Sequence, residues 1–127
     1  MPLNALLTAI FALLNPIRTT YHLRAPQDTV PPYFVVQLVG GPVLYCFGGA
    51  SIERQRVQIT QYHPWTGKPT QALTDNAAIV AALDLKPLTV AGIIIRRLGK
   101  PAQDVQDERG KPPVLQVHQD WLFDYQA

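Results

Sequence analysis

From Val114 to Tyr125 apolar side chains recur at alternate positions, Leu115, Val117, Trp121, Phe123 and Tyr125, with Gln116, His118, Asp120 and Asp124 between them. A period of two belongs to a strand with one dry face and one wet face. Such a strand is not stable alone: its backbone needs neighbouring strands and its dry face needs a covering layer. The rest of the chain has to supply both.

Further strands are legible. Tyr33 to Val39 is a β-branched and aromatic run that stops at Gly40-Gly41-Pro42. In Ile52 to Tyr62, Val57 and Ile59 point one way with Gln55 and Gln61 beside them, and Arg54, Arg56, Gln58 and Thr60 point the other. Leu88 to Leu98 holds Val90, Ile93, Ile94 and Ile95 ahead of Arg96-Arg97 and reads as a central strand.

The covering layer is helical. Leu3, Leu6, Leu7, Ile10, Phe11 and Leu14 recur at spacings of three and four, between Pro2 and Pro16. A second helix is expected to follow Thr70 as N-cap, with Leu73, Ala77, Val80 and Leu83 on its inner side, and to end before Pro87. The segment Arg18 to Pro32, with Pro26, Pro31 and Pro32, reads as irregular. The expected fold is therefore α+β: a mainly antiparallel four-stranded sheet in the order α-β-β-α-β-β, with two helices on one face.

At 127 residues the chain is expected to form a single domain, 1–127. Gly99 to Pro113 is polar and rich in proline, and is expected to form a long loop or hairpin tip. An apolar segment with Val43, Leu44, Tyr45, Cys46 and Phe47 lies between two glycine pairs and reads as a loop too apolar to sit bare in water.

Composition narrows the function. Charged residues make up 16% of the chain, below the typical ~25%, and 11 Lys and Arg against 9 Asp and Glu give a net charge of +2 with no basic run. Nucleic acid is not the favoured partner. The apolar window Ala5 to Leu14 is about half the length that crosses a bilayer, and no basic residue precedes Arg18, so no membrane span or secretory leader is expected. The lone Cys46 offers neither an intrachain disulfide nor a cysteine zinc site.

Chemistry-bearing groups are sparse. His118 and Asp120 leave the same face of a strand and could serve acid–base work in a hydrolase, but nothing around Ser51 or Cys46 resembles a nucleophile elbow. His22, His63 and His118 lack metal-ligand spacing, and Gly67-Lys68-Pro69 has proline where a phosphate loop needs a hydroxyl. No catalytic residue, metal or cofactor is expected. Arg54 and Arg56, with Arg96 and Arg97 on a neighbouring strand, could form a positive patch for nucleic acid, or pair with acids within the chain or on a neighbouring subunit.

Low charge, an apolar loop and a long polar tip suit contacts between protein subunits. In that light, the order of Ala25-Pro26, Pro32-Tyr33-Phe34-Val35-Val36-Gln37, Glu53-Arg54-Gln55-Arg56-Val57-Gln58-Ile59, an Ala-rich helix and the closing Gln119-Asp120-Trp121-Leu122-Phe123-Asp124-Tyr125 resembles the small tail-completion, or tail-terminator, proteins of long-tailed bacteriophages. Where that family often has an acidic or aromatic residue after Val-Gln-Ile, this chain reads Thr60-Gln61-Tyr62. The resemblance implies a homo-oligomeric ring, typically of six copies, that caps the tail tube and offers a surface to the head connector. It implies a place in the tail or neck of a virion made in the bacterial cytoplasm, with DNA passing through the ring and no specific nucleic-acid contact. The expected interface residues are Leu44, Tyr45, Phe47, Arg54, Arg56, Asp104, Asp107, Glu108 and Arg109, on the two loops and the wet strand face.

Overall fold

The computed structural model describes residues 3–40, 43–45, 51–84, 94–107 and 110–126. Two helices, α1 (Leu3–Leu14) and α2 (Thr70–Leu83), accompany β1 (Thr20–His22), β2 (Tyr33–Gly40), β3 (Val43–Tyr45), β4 (Ser51–Pro64), β5 (Ile94–Gln106) and β6 (Val114–Gln126). The strands form one mixed sheet in the order β1-β2-β4-β6-β5, with β3 joined to β4 off that path.

The α+β architecture follows the sequence reading, but the sheet has more than four strands. β1 lies in the segment whose sequence reads as irregular, because three residues are too few to show a period. Its backbone nevertheless runs parallel to β2, with Thr20 to His22 beside Phe34 to Val36. β3 lies in the segment whose sequence reads as a loop, yet Val43 to Tyr45 pairs with Glu53 to Ser51. β2 and β3 thus occupy one side of β4 in succession, interrupted where Gly40 takes φ +82°, a conformation glycine adopts without a Cβ clash.

The sheet centre is the antiparallel pair β4 and β6, in continuous register from Ile52↔Gln126 to Pro64↔Val114. Odd-numbered residues of both strands face the helices: Gln55, Val57, Ile59, Gln61 and His63 on β4, and Leu115, Val117, Gln119, Trp121 and Phe123 on β6, are buried. Over this face α1 contributes Leu6, Ile10 and Leu14 and α2 contributes Ile79 and Leu83, in one cluster with Phe34, Val36, Ile95 and Trp121. Burying a side chain of this size stabilises the fold by roughly 1.5–3 kcal/mol before conformational entropy is counted.

α2 differs from expectation in two respects. Pro69, not Thr70, occupies the N-cap, with no side-chain cap bond. Its buried residues are Ala72, Asp75, Ile79 and Leu83, whereas Leu73 is 47% exposed. A polar residue that belongs inside, Asp75, disguised the true stripe.

β5 also departs from the sequence reading. The proposed Leu88 start falls outside the described residues, and the strand continues past Leu98 to Gln106, so much of the segment read as an excursion is strand. Its register shifts between Leu98 and Ala102, where Gly99 has φ +76° and Gln119 Nε2 donates to the carbonyl of Gly99 at 3.1 Å. A bulge held by a buried glutamine let a strand run through Gly-Lys-Pro. No helix among the described residues is long and apolar enough to cross a membrane.

Candidate assembly surfaces

The face of the sheet opposite the helices carries the even-numbered side chains of β4 and β6. Arg54 Nε lies 3.1 Å from Asp124 Oδ1, and Arg56 bonds Asp120. Both arginines are therefore paired within the chain. Of the four arginines on which a nucleic-acid reading would depend, the side chain of Arg96 lies outside the described residues. Arg97 is likewise engaged, 3.2 Å from Asp84, across the helix-bearing face.

The same pairings separate His118 from Asp120. Asp120 is held by Arg56, and His118 Nδ1 lies 3.1 Å from Thr60 Oγ1. The two side chains share a strand face, yet each is oriented by a residue of β4. The histidine–carboxylate hydrogen bond that acid–base work would use is replaced by two cross-strand contacts.

Along the same face, towards the end of the sheet, three tyrosines meet. Tyr33 and Tyr62 stack with ring centroids 4.9 Å apart, and Tyr21 meets Tyr33 edge-on at 5.8 Å. Burial raises the pKa of both Tyr33 and Tyr62 above 10.0, and for Tyr33 the neighbouring tyrosines add to it. The stacked pair borders a cleft of about 590 Å³ between the Asp28–Pro31 segment and the turn at Lys111–Val114.

The remaining expected interface residues scatter over the molecule. Leu44 and Tyr45 lie in β3, while Phe47, Glu108 and Arg109 lie outside the described residues. Asp104 is exposed near the end of β5, and Asp107 is exposed just beyond it. β5 is an edge strand, so these acids stand at one lateral limit of the sheet.

One polar cluster escaped the sequence reading altogether. Arg18 Nε donates to Asp75 Oδ2 at 2.9 Å, and Gln71 Nε2 donates to Asp75 Oδ1 at 3.0 Å. His63 Nε2 lies 3.6 Å from Asp75 Oδ2 and 2.9 Å from Gln61 Oε1. Burial lowers the His63 pKa, Asp75 offsets part of that, and Arg18 reinforces it. The local hints were Asp75 at a helical spacing from Ala72 and Ile79 and Gln71 one turn before it; Arg18 and His63 come from other elements of the chain.

No protein-family model and no curated protein matches the chain. Among solved structures, a chain of the virion of a native gene transfer agent particle is similar over 93% of this chain and 84% of its own length, with a TM-score of 0.61 and 14% sequence identity. At that identity the likeness is one of fold.

Proposed function

We propose that this chain is a structural protein of a phage-like virion, and that several copies form a ring at the end of the tail tube. The ring ends tube growth and joins the tail to the head connector. The observation that carries this reading is the fold shared with a chain of a gene transfer agent virion over 93% of the present chain. The resemblance of its strand and helix motifs to tail-completion proteins supplies the finer assignment, including a copy number near six.

The work is mechanical. A closed ring needs two different lateral surfaces that complement each other under a rotation, and the sheet has unlike edges, β5 on one side and β1 with β2 on the other. Its partners are further copies of itself, the tail tube protein and the head connector protein; no cofactor takes part, and DNA entering the tail passes through the opening without base-specific contact.

The test is removal of this chain's gene from a particle-producing host, followed by electron microscopy of lysates. Heads without tails, together with tubes of unregulated length, are expected. Particles of normal length and normal head attachment would refute the assignment.

A further inference from the structure

Two buried glutamines on the helix-facing side of the sheet hold equivalent places. Gln55 on β4 and Gln119 on β6 each stand two residues before a member of the facing pair Val57↔Trp121, so the local twofold axis of that antiparallel pair carries one onto the other. Their bonds match as well. Gln55 Nε2 donates to the carbonyl of Gly40 at 3.2 Å and to that of Arg56 at 3.0 Å. Gln119 Nε2 donates to the carbonyl of Gly99 at 3.1 Å and to that of Asp120 at 3.1 Å. Each amide thus ties a glycine of the outer strand to the backbone of its own strand.

Both glycines, with φ of +82° and +76°, sit at bulges. Val39 is one residue too many between Leu38↔Val57 and Gly40↔Arg56, and Gly99, Lys100 and Pro101 together face Gln119 alone between Leu98↔Asp120 and Ala102↔His118. A bulge interrupts the ladder and leaves backbone carbonyls in need of a donor, and a glutamine among apolar side chains is tolerated only when its amide is bonded. Gln119 Oε1 is buried without a partner among the described residues, so the carbonyls on the Nε2 side orient that amide.

The bulged strands are also the open edges. Among the described residues β5 has β6 on one side and no strand on the other, and β1 covers only Phe34 to Val36 of β2. Leu98 is 39% exposed and Val39 48%. A long, straight edge with apolar side chains adds strands from other molecules, whereas a bulge bends and twists the edge away from a newcomer.

We infer that Gln55 and Gln119 are paired clamps that hold both edges of the sheet kinked, and so block open-ended strand addition between copies of this chain. The clamps act with or without a ring. Within one, neighbouring copies meet through side chains and share no backbone ladder.

Straightening β5 tests this. Deleting Lys100 and Pro101 leaves Gly99 opposite Gln119 and keeps every side chain on its own face, because two residues are lost. With native near-ultraviolet circular dichroism retained, the variant should form sedimenting, thioflavin-binding assemblies at about a tenfold lower concentration than the native chain. K100A/P101A removes the charge and the proline but keeps the bulge, and should stay within about threefold of the native chain. A folded deletion variant that assembles no more readily than the native chain would overturn the inference. Equal assembly by K100A/P101A would also overturn it, by giving the protection to charge and proline. If the deletion prevents folding, Gln119→Met decides, since it keeps the bulge length and takes away the donor: assembly at lower concentration is expected, and native solubility would refute the clamp. In the native chain the Gln119 side-chain amide should exchange its protons at least about tenfold more slowly than a free glutamine, and free exchange would refute the clamp whatever the variants do.

Discussion

Arg18, just past the end of α1, donates from Nε to Asp75 Oδ2 in the middle of α2 at 2.9 Å, and so fixes one helix against the other. Asp75 is 6% exposed at its side chain and also accepts from Gln71. Truncating it leaves those donors without their acceptor. Asp75→Ala should cost about 2–4 kcal/mol, the upper part of the range for buried pairs being reduced because Arg18 is 31% exposed. Urea unfolding measures this, and native-like stability would contradict the network's role.

His63 makes stability depend on pH. Its folded-state pKa lies below the ordinary 6.5 through burial. The unfolded chain therefore binds more protons between the two values, so this contribution is complete above about pH 6.5 and is lost as pH falls below it. The melting temperature of native protein should drop between pH 7 and 5 more steeply than that of His63→Gln. Parallel curves would assign the acid sensitivity to other groups.

Trp121 is fully buried, and its Nε1 has no hydrogen-bond partner among the described residues. Replacing the indole with Phe removes that donor but leaves a smaller ring. Trp121→Phe should cost less than about 1.5 kcal/mol, whereas Trp121→Ala should cost about 3–5 kcal/mol. Denaturant midpoints of the two variants check the contrast; equal losses would mean that the donor is satisfied in solution.

The two sides of α2 give a direct test of its orientation. Ile79 is 1% exposed and Leu73 is 47% exposed. Ile79→Ala should destabilise by about 2–4 kcal/mol, while Leu73→Gln should stay within about 0.5 kcal/mol. A reversed ranking would place the inner face where apolar spacing alone puts it.

Much of the architecture could be read from local pattern. The alternation in β4 and β6 and the stripe on α1 each reflect a single face repeatedly entering an apolar environment, so residue spacing reports them without knowledge of the partner. The motif order resembles that of phage tail-completion proteins, and the fold is shared with a chain of a gene transfer agent virion. β1 and β3 were missed because three-residue strands have no measurable period; the backbone of a neighbouring strand makes them strands. α2 was rotated in the reading because hydropathy puts Leu73 inside and Asp75 outside.

The chain by itself determined which segments carry a dry face and that the fold is helices on a mainly antiparallel sheet, because hydrophobic periodicity acts over a few residues. Only the tertiary structure decided that Arg54 and Arg56 meet Asp124 and Asp120, and that Arg18, His63 and Asp75 share one cluster. The two residues of each pair stand dozens of positions or more apart or on the two strands of one ladder, except His63 and Asp75, which are brought together by the return of α2 over β4. Electrostatic pairing is set by register and by helix packing, and neither is written in the spacing of the residues that take part.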